Sequence, residues 1–120
     1  MTLRFGEVVL IRMQFHQAPG SKVRPALVIL DTGDDDFVAA PITSQSRLSE
    51  YDVAIEHWRA AGLNVASTVR VHKLTVPGKG DLVRHLGLLS DTDCASLLAV
   101  LCQTFCPRTG GTPPSRGLGE

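Results

Sequence analysis

Apolar residues in this 120-residue chain fall into short unbroken runs, and that pattern restricts the fold more than any other feature. Val8, Val9, Leu10 and Ile11 are contiguous, and so are Ala26 to Leu30. Runs of this length, bounded by turn formers, suit strands covered on both faces. GEVVLIRMQF therefore reads as a first strand and RPALVILD, residues 24–31, as a second. Pro25 has no N–H, which predicts that it opens its strand. HQAPGSK between them carries the loop signals Pro19 and Gly20. TGDDD reads as a hairpin turn, FVAAPIT as a third strand ending near Thr43, and SQSRLSE as polar loop. YDVAIE alternates as a half-exposed strand should. HWRAAGLN reads as a turn or short helical piece stopped by Gly62, residues 65–74 (VASTVRVHKL) as a fifth strand, and VPGKGD as a loop.

The pattern changes only near the end. In LSDTDCASLLAVLCQTF, Cys94, Leu97, Leu98, Leu101, Cys102 and Phe105 recur at helical spacing and predict one apolar face. Ser90 is the expected N-cap, with Asp93 at the third helical position in place of the glutamate of a capping box. Pro107 should stop the helix. Residues 107–120, rich in Gly, Pro and Ser, read as a flexible tail outside a single domain of residues 1–106. About five strands followed by one helix predict a mainly β fold, a small SH3-like antiparallel barrel with a C-terminal α-helix.

A hydrophobic content of 43 % is enough for a packed core, and no apolar run is long enough to span a bilayer. The N-terminal segment lacks the apolar stretch and cleavage site of a secretion signal, so a cytoplasmic protein with no membrane partner is expected. Cys94, Cys102 and Cys106 lack close metal-ligand spacing and read as buried or half-buried free thiols on the helix. Net charge is zero, from 12 basic and 12 acidic residues, but its distribution is uneven. Residues 4–24 hold Arg4, Arg12, Lys22 and Arg24 against Glu7 alone. Residues 66–85 hold Arg70, Lys73, Lys79 and Arg84 against Asp81 alone, while acidic residues cluster at Asp31, Asp34, Asp35 and Asp36. If the two basic segments share a face, a neutral chain can present a cationic groove.

Three stretches in this order resemble the PemK/MazF family of type II toxins. They are GEVVLI…GSKVRPALVI, then PITSQ at the end of the third strand, then STVRVHKL followed by LVRHLGLLSDTDCASLLAVL. Together they cover about residues 5–105. The resemblance implies a homodimeric SH3-like barrel that cleaves single-stranded RNA without a metal or other cofactor. It also implies a cognate antitoxin that blocks the RNA groove. Carried over by motif, the active-site arginine falls on Arg24. The polar turn falls on Thr43, Ser44 and Gln45, and the polar strand used by some members falls on Arg70 and His72. Many relatives have an aspartate where this chain has His72.

The chemistry asks for these residue types. The RNA 2′-OH attacks its own phosphate, so a base must take its proton, a cation must stabilise charge on the phosphate, and an acid must protonate the leaving 5′-oxygen. A 2′,3′-cyclic phosphate results, and DNA is excluded. Arginine supplies a permanent charge and paired N–H donors, which makes Arg24 the expected phosphate-stabilising residue. Strand alternation predicts that Val69 and Val71 face the core, with Thr68, Arg70 and His72 outward. Histidine titrates near neutrality, so His72 is one candidate for proton transfer, beside Arg70 and His16. Arg24, Thr43, Arg70 and His72 are thus the expected catalytic set, with His16, Lys22, Ser44, Gln45, Thr68 and Lys73 as RNA contacts. Trp58 is expected to anchor a core or interface. Two other readings stay open: a gyrase-poisoning toxin of the same fold, although SRGLGE lacks the tryptophan used there, and a barrel that binds RNA or antitoxin without cutting.

Overall fold

The structure, a computed structural model, describes residues 2–14, 20–45 and 49–106. His16 and the 107–120 segment lie outside the described residues. The elements are β1 (Glu7–Gln14), β2 (Ser21–Leu30), β3 (Val38–Thr43), β4 (Asp52–Ala54), β5 (Thr68–Arg70), β6 (Leu82–Leu88) and α1 (Asp91–Phe105). Short 3₁₀ turns occupy Val71–Lys73 and Lys79–Asp81. All strand pairs are antiparallel, in the spatial order β4-β5-β3-β2-β1-β6.

The unbroken apolar runs have the double coverage their composition demands. Val8 and Leu27 are paired across β1 and β2 and face the larger core with Ala40, Val69 and Leu97 of α1. Val9 and Ala26 are the next pair. They face a second core with Ile11, Val28, Ala39 and Phe37. Alternate residues of one run thus fill opposite sides of the same sheet.

Several expectations require correction. Pro25 does not open β2, which begins at Ser21. Instead Pro25 sits within it, opposite Leu10, and the β2–β3 ladder ends one residue away at Ala26↔Pro41. The fifth strand is only Thr68–Arg70, because the chain tightens into a 3₁₀ turn at Val71. Val69 and Val71 are buried as expected, but the strand alternation does not extend to His72. LVRHLGL forms a sixth strand, β6, which adds to the free side of β1. It escaped sequence reasoning because, as an edge strand, it lacks regular alternation of buried and exposed residues.

The sheet is not closed by strand pairing, since β4 and β6 are its two edges. The gap between them is spanned by the turn after β4. A Cβ placed on Gly62 would lie 2.1 Å from the Leu86 carbonyl oxygen, and one on Gly87 would lie 2.5 Å from that of Ala61. Gly62 also has φ +88°, so both its backbone angle and its neighbour exclude a side chain.

Helix α1 starts as predicted, with the Ser90 hydroxyl accepting the Asp93 N–H at 3.1 Å. The Asp93 carboxylate, 2 % exposed, does more than cap. It accepts the backbone N–H groups of Glu56 and His57, each at 2.9 Å, and so ties the helix to the same turn. The predicted apolar face is only partly covered: Leu97 is buried, whereas Leu98 and Phe105 are 51 % and 54 % exposed. Cys94 is half-buried, but Cys102 and Cys106 are exposed, contrary to expectation. Trp58 packs half-buried against the larger core, with the Arg59 guanidinium 4.8 Å from its ring centroid.

A candidate RNA-binding cleft

A cleft of about 570 Å³ opens where β1, β2 and β6 meet the end of β3 and the turn after β4. Leu10, Pro25, Ile42 and Leu86 supply apolar lining. Polar groups come from the exposed Arg24, Ser44, Gln45, Asn64 and Arg84, and from the half-buried Thr43. Among the described residues no acidic side chain lines it. Gly62 lines it too, so the backbone approach that bridges the sheet edges also shapes the cleft wall.

Local sequence positions each polar group. Thr43 is the last residue of β3. Its hydroxyl oxygen accepts the Gln45 N–H at 3.1 Å, which turns the chain and leaves the hydroxyl proton available for an outside acceptor. Arg24 is held by the β1–β2 ladder opposite Ile11, and Arg84 by the β1–β6 ladder opposite Leu10. Among the described residues, no hydrogen bond or ion pair engages either guanidinium.

The structure therefore brings Arg24, Thr43, Ser44 and Gln45 together. Thr68 lines a smaller hollow of about 270 Å³ that shares Ser44, Gln45 and Ser67 with the main cleft. Lys22 and Lys73 are exposed outside both. Arg70 and His72 do not join the cleft. Arg70 Nε lies 3.2 Å from an Asp52 carboxylate oxygen, and the same carboxylate accepts the Ser49 hydroxyl at 2.7 Å and the Ser49 N–H at 3.1 Å. Burial works to raise the Asp52 pKa, but the Ser49 donors and Arg70 outweigh it and hold the group below the ordinary carboxylate value. The His72 ring stacks at a tilt on Tyr51, with centroids 5.2 Å apart. Its Nδ1 is buried with no hydrogen-bond partner among the described residues.

Sequence reasoning missed Arg84, Asn64 and Ser67 as cleft residues. In the sequence Arg84 stands out only as part of a locally basic segment. Recognising LVRHLGL as a strand would have placed it beside β1. Among the described residues, no three His, Cys, Asp or Glu side chains group as metal ligands.

A small open antiparallel sheet followed by one C-terminal helix is a fold that solved structures of toxins share. An endoribonuclease in complex with its cognate antitoxin, from Mycobacterial species, matches with a TM-score of 0.68 at 18 % identity, over 88 % of this chain and 98 % of that one. The Mycobacterium tuberculosis toxin MazF-mt6 matches with a TM-score of 0.65 at 23 % identity, over 81 % and 95 %. A MazE–MazF structure from Deinococcus radiodurans matches with a TM-score of 0.67 at 19 % identity, over 84 % and 94 %. At these identities the likeness is one of fold. No curated protein matches by sequence. The family of PemK-like, MazF-like toxins of type II toxin–antitoxin systems matches residues 4–105, and the chain belongs to that family.

Proposed function

We propose that this toxin is an endoribonuclease that cuts single-stranded RNA in the cleft, sequence-selectively and without a metal, leaving a 2′,3′-cyclic phosphate. The observation that carries the reading is the meeting of Arg24, without a partner among the described residues, with the Thr43 hydroxyl in a cleft that no described acidic side chain lines. Arg24 stabilises charge building on the phosphate during 2′-OH attack. The Thr43 hydroxyl donates to a phosphate oxygen, its own oxygen being occupied by Gln45. Gln45, Ser44 and Asn64 offer polar contacts for bases. Family membership and the antitoxin complexes among similar structures support a cognate antitoxin as partner, one that competes with RNA for the cleft. The exposed Leu98 and Phe105 of α1 support a homodimer. Cytoplasmic action fits the RNA target, and no helix among the described residues is long and apolar enough to cross a membrane.

Arg70 and His72 stand outside the cleft lining, so in this reading His16 is the histidine to test for proton transfer. Purified protein is incubated with RNA and EDTA, and the ends are identified by mass. Arg24→Ala lowers kcat by about 10²-fold or more, whereas His72→Ala retains cleavage within about tenfold. Intact RNA across many sequences, or equal rates for Arg24→Ala and wild type, overturns the reading.

A further inference from the structure

We propose that Arg84 is a second phosphate-contacting residue, which holds the RNA backbone beyond the phosphate engaged by Arg24. The inference rests on reading the cleft as the RNA site. Arg84 of β6 lies opposite Leu10 of β1, and Leu10 lies opposite Pro25 of β2, the neighbour of Arg24. Ordinary strand spacing then separates the β6 and β2 backbones by about 10 Å across β1. Both arginines line the one cleft, together with Leu10, Pro25 and Leu86.

Neither arginine has a counter-ion among the described residues. Glu7, the acidic residue of β1, is engaged by His85 Nδ1 at 3.1 Å and by the Arg4 N–H. Two forked cations in a cleft that no described carboxylate lines suit an anion that recurs along a chain, and a nucleic-acid backbone is such an anion. Their places in the sheet divide the work. Arg24 is on the interior strand β2 with Thr43 nearby in the cleft wall, whereas Arg84 is on the edge strand β6. RNA that crosses β1 from the reacting phosphate leaves the sheet past Arg84. Arg84 therefore contributes to binding rather than to bond cleavage.

The test measures affinity for a fully 2′-O-methyl RNA oligonucleotide, which lacks the attacking hydroxyl, by fluorescence anisotropy over a range of salt concentrations. Circular dichroism checks that each variant is folded. Arg84→Gln reduces the slope of log affinity against log salt by about 0.7, the loss of one single-strand phosphate contact. It raises Kd about tenfold at moderate salt. Arg84→Lys keeps the slope, and Arg59→Gln, outside the cleft, changes neither quantity. With cleavable RNA, the Arg84→Gln loss falls in KM, with kcat within about threefold of wild type. An unchanged slope and Kd, a loss confined to kcat, or no RNA binding by wild type overturns the proposal. If wild type cuts RNA and Arg84→Gln binds and cuts equally well, this inference fails and the endoribonuclease reading stands. If binding depends on Arg84 but nothing is cut, the reverse holds.

Discussion

Arginine illustrates how much a side chain's role depends on what lies opposite it. Arg70 is held by Asp52, Arg59 lies over the Trp58 ring, and Arg24 and Arg84 line the cleft with no partner among the described residues. The sequence names Arg70 beside Arg24 in the catalytic set, because the β4–β5 register that sets Asp52 against Arg70 is not visible in it. Arg70→Gln should therefore lower thermal stability while leaving kcat within about threefold at a permissive temperature, since it strands a largely buried carboxylate. Thermal melting beside cleavage kinetics separates the two effects. Asp31 gives a pH-dependent counterpart. The Leu3 and Gly33 N–H groups and Lys79 outweigh burial and lower its pKa from 3.8 to about 2. A depressed folded-state pKa contributes stability that is complete above the unfolded value and is lost as pH falls through the folded one. The loss attributable to Asp31 should span pH 3.8 down to about 2. Urea unfolding of Asp31→Asn against wild type across that window checks it: the variant is weaker near neutrality and the difference narrows toward pH 2.

Among elements, those with strong local signals were legible. The unbroken runs marked β1 and β2, and Ser90 followed by helical spacing marked α1. Elements fixed by their neighbours were not. The break after Arg70 and the pairing of β6 depend on contacts far along the chain, as does the extension of β2 through Pro25. The candidate site was legible to the same extent: Arg24 and Thr43 belong to well-marked strands, while Arg84 belongs to the strand that was missed. Asp93 shows how a cap can be read correctly and its larger role overlooked. Its carboxylate reaches 36–37 residues back to the Glu56 and His57 amides. Asp93→Ala should cost about 1–3 kcal/mol from the two unpaired N–H groups. Faster hydrogen exchange at the His57 amide, with the β1–β2 ladder unchanged, would show that the turn has loosened locally.

For the whole molecule, an incompletely covered helix accompanies a sheet that strand pairing leaves open. Leu98 and Phe105 are exposed on an element whose Leu97 is buried, so the isolated chain retains apolar surface that association could cover. Sedimentation equilibrium should report a dimer for wild type at micromolar concentration. Leu98→Asp should shift it toward monomer with little change in circular dichroism, and an unshifted dimer would place the interface elsewhere.

The two glycines that bring Ala61–Gly62 against Leu86–Gly87 have a genetic consequence. Cells forced to express an uninhibited toxin survive by breaking it, and the survivors' mutations map whatever the toxin cannot do without. Any side chain at Gly62 or Gly87 must push this turn away from β6. Codons 62 and 87 should therefore recur among escape mutants beside codon 24, although neither glycine carries a functional group.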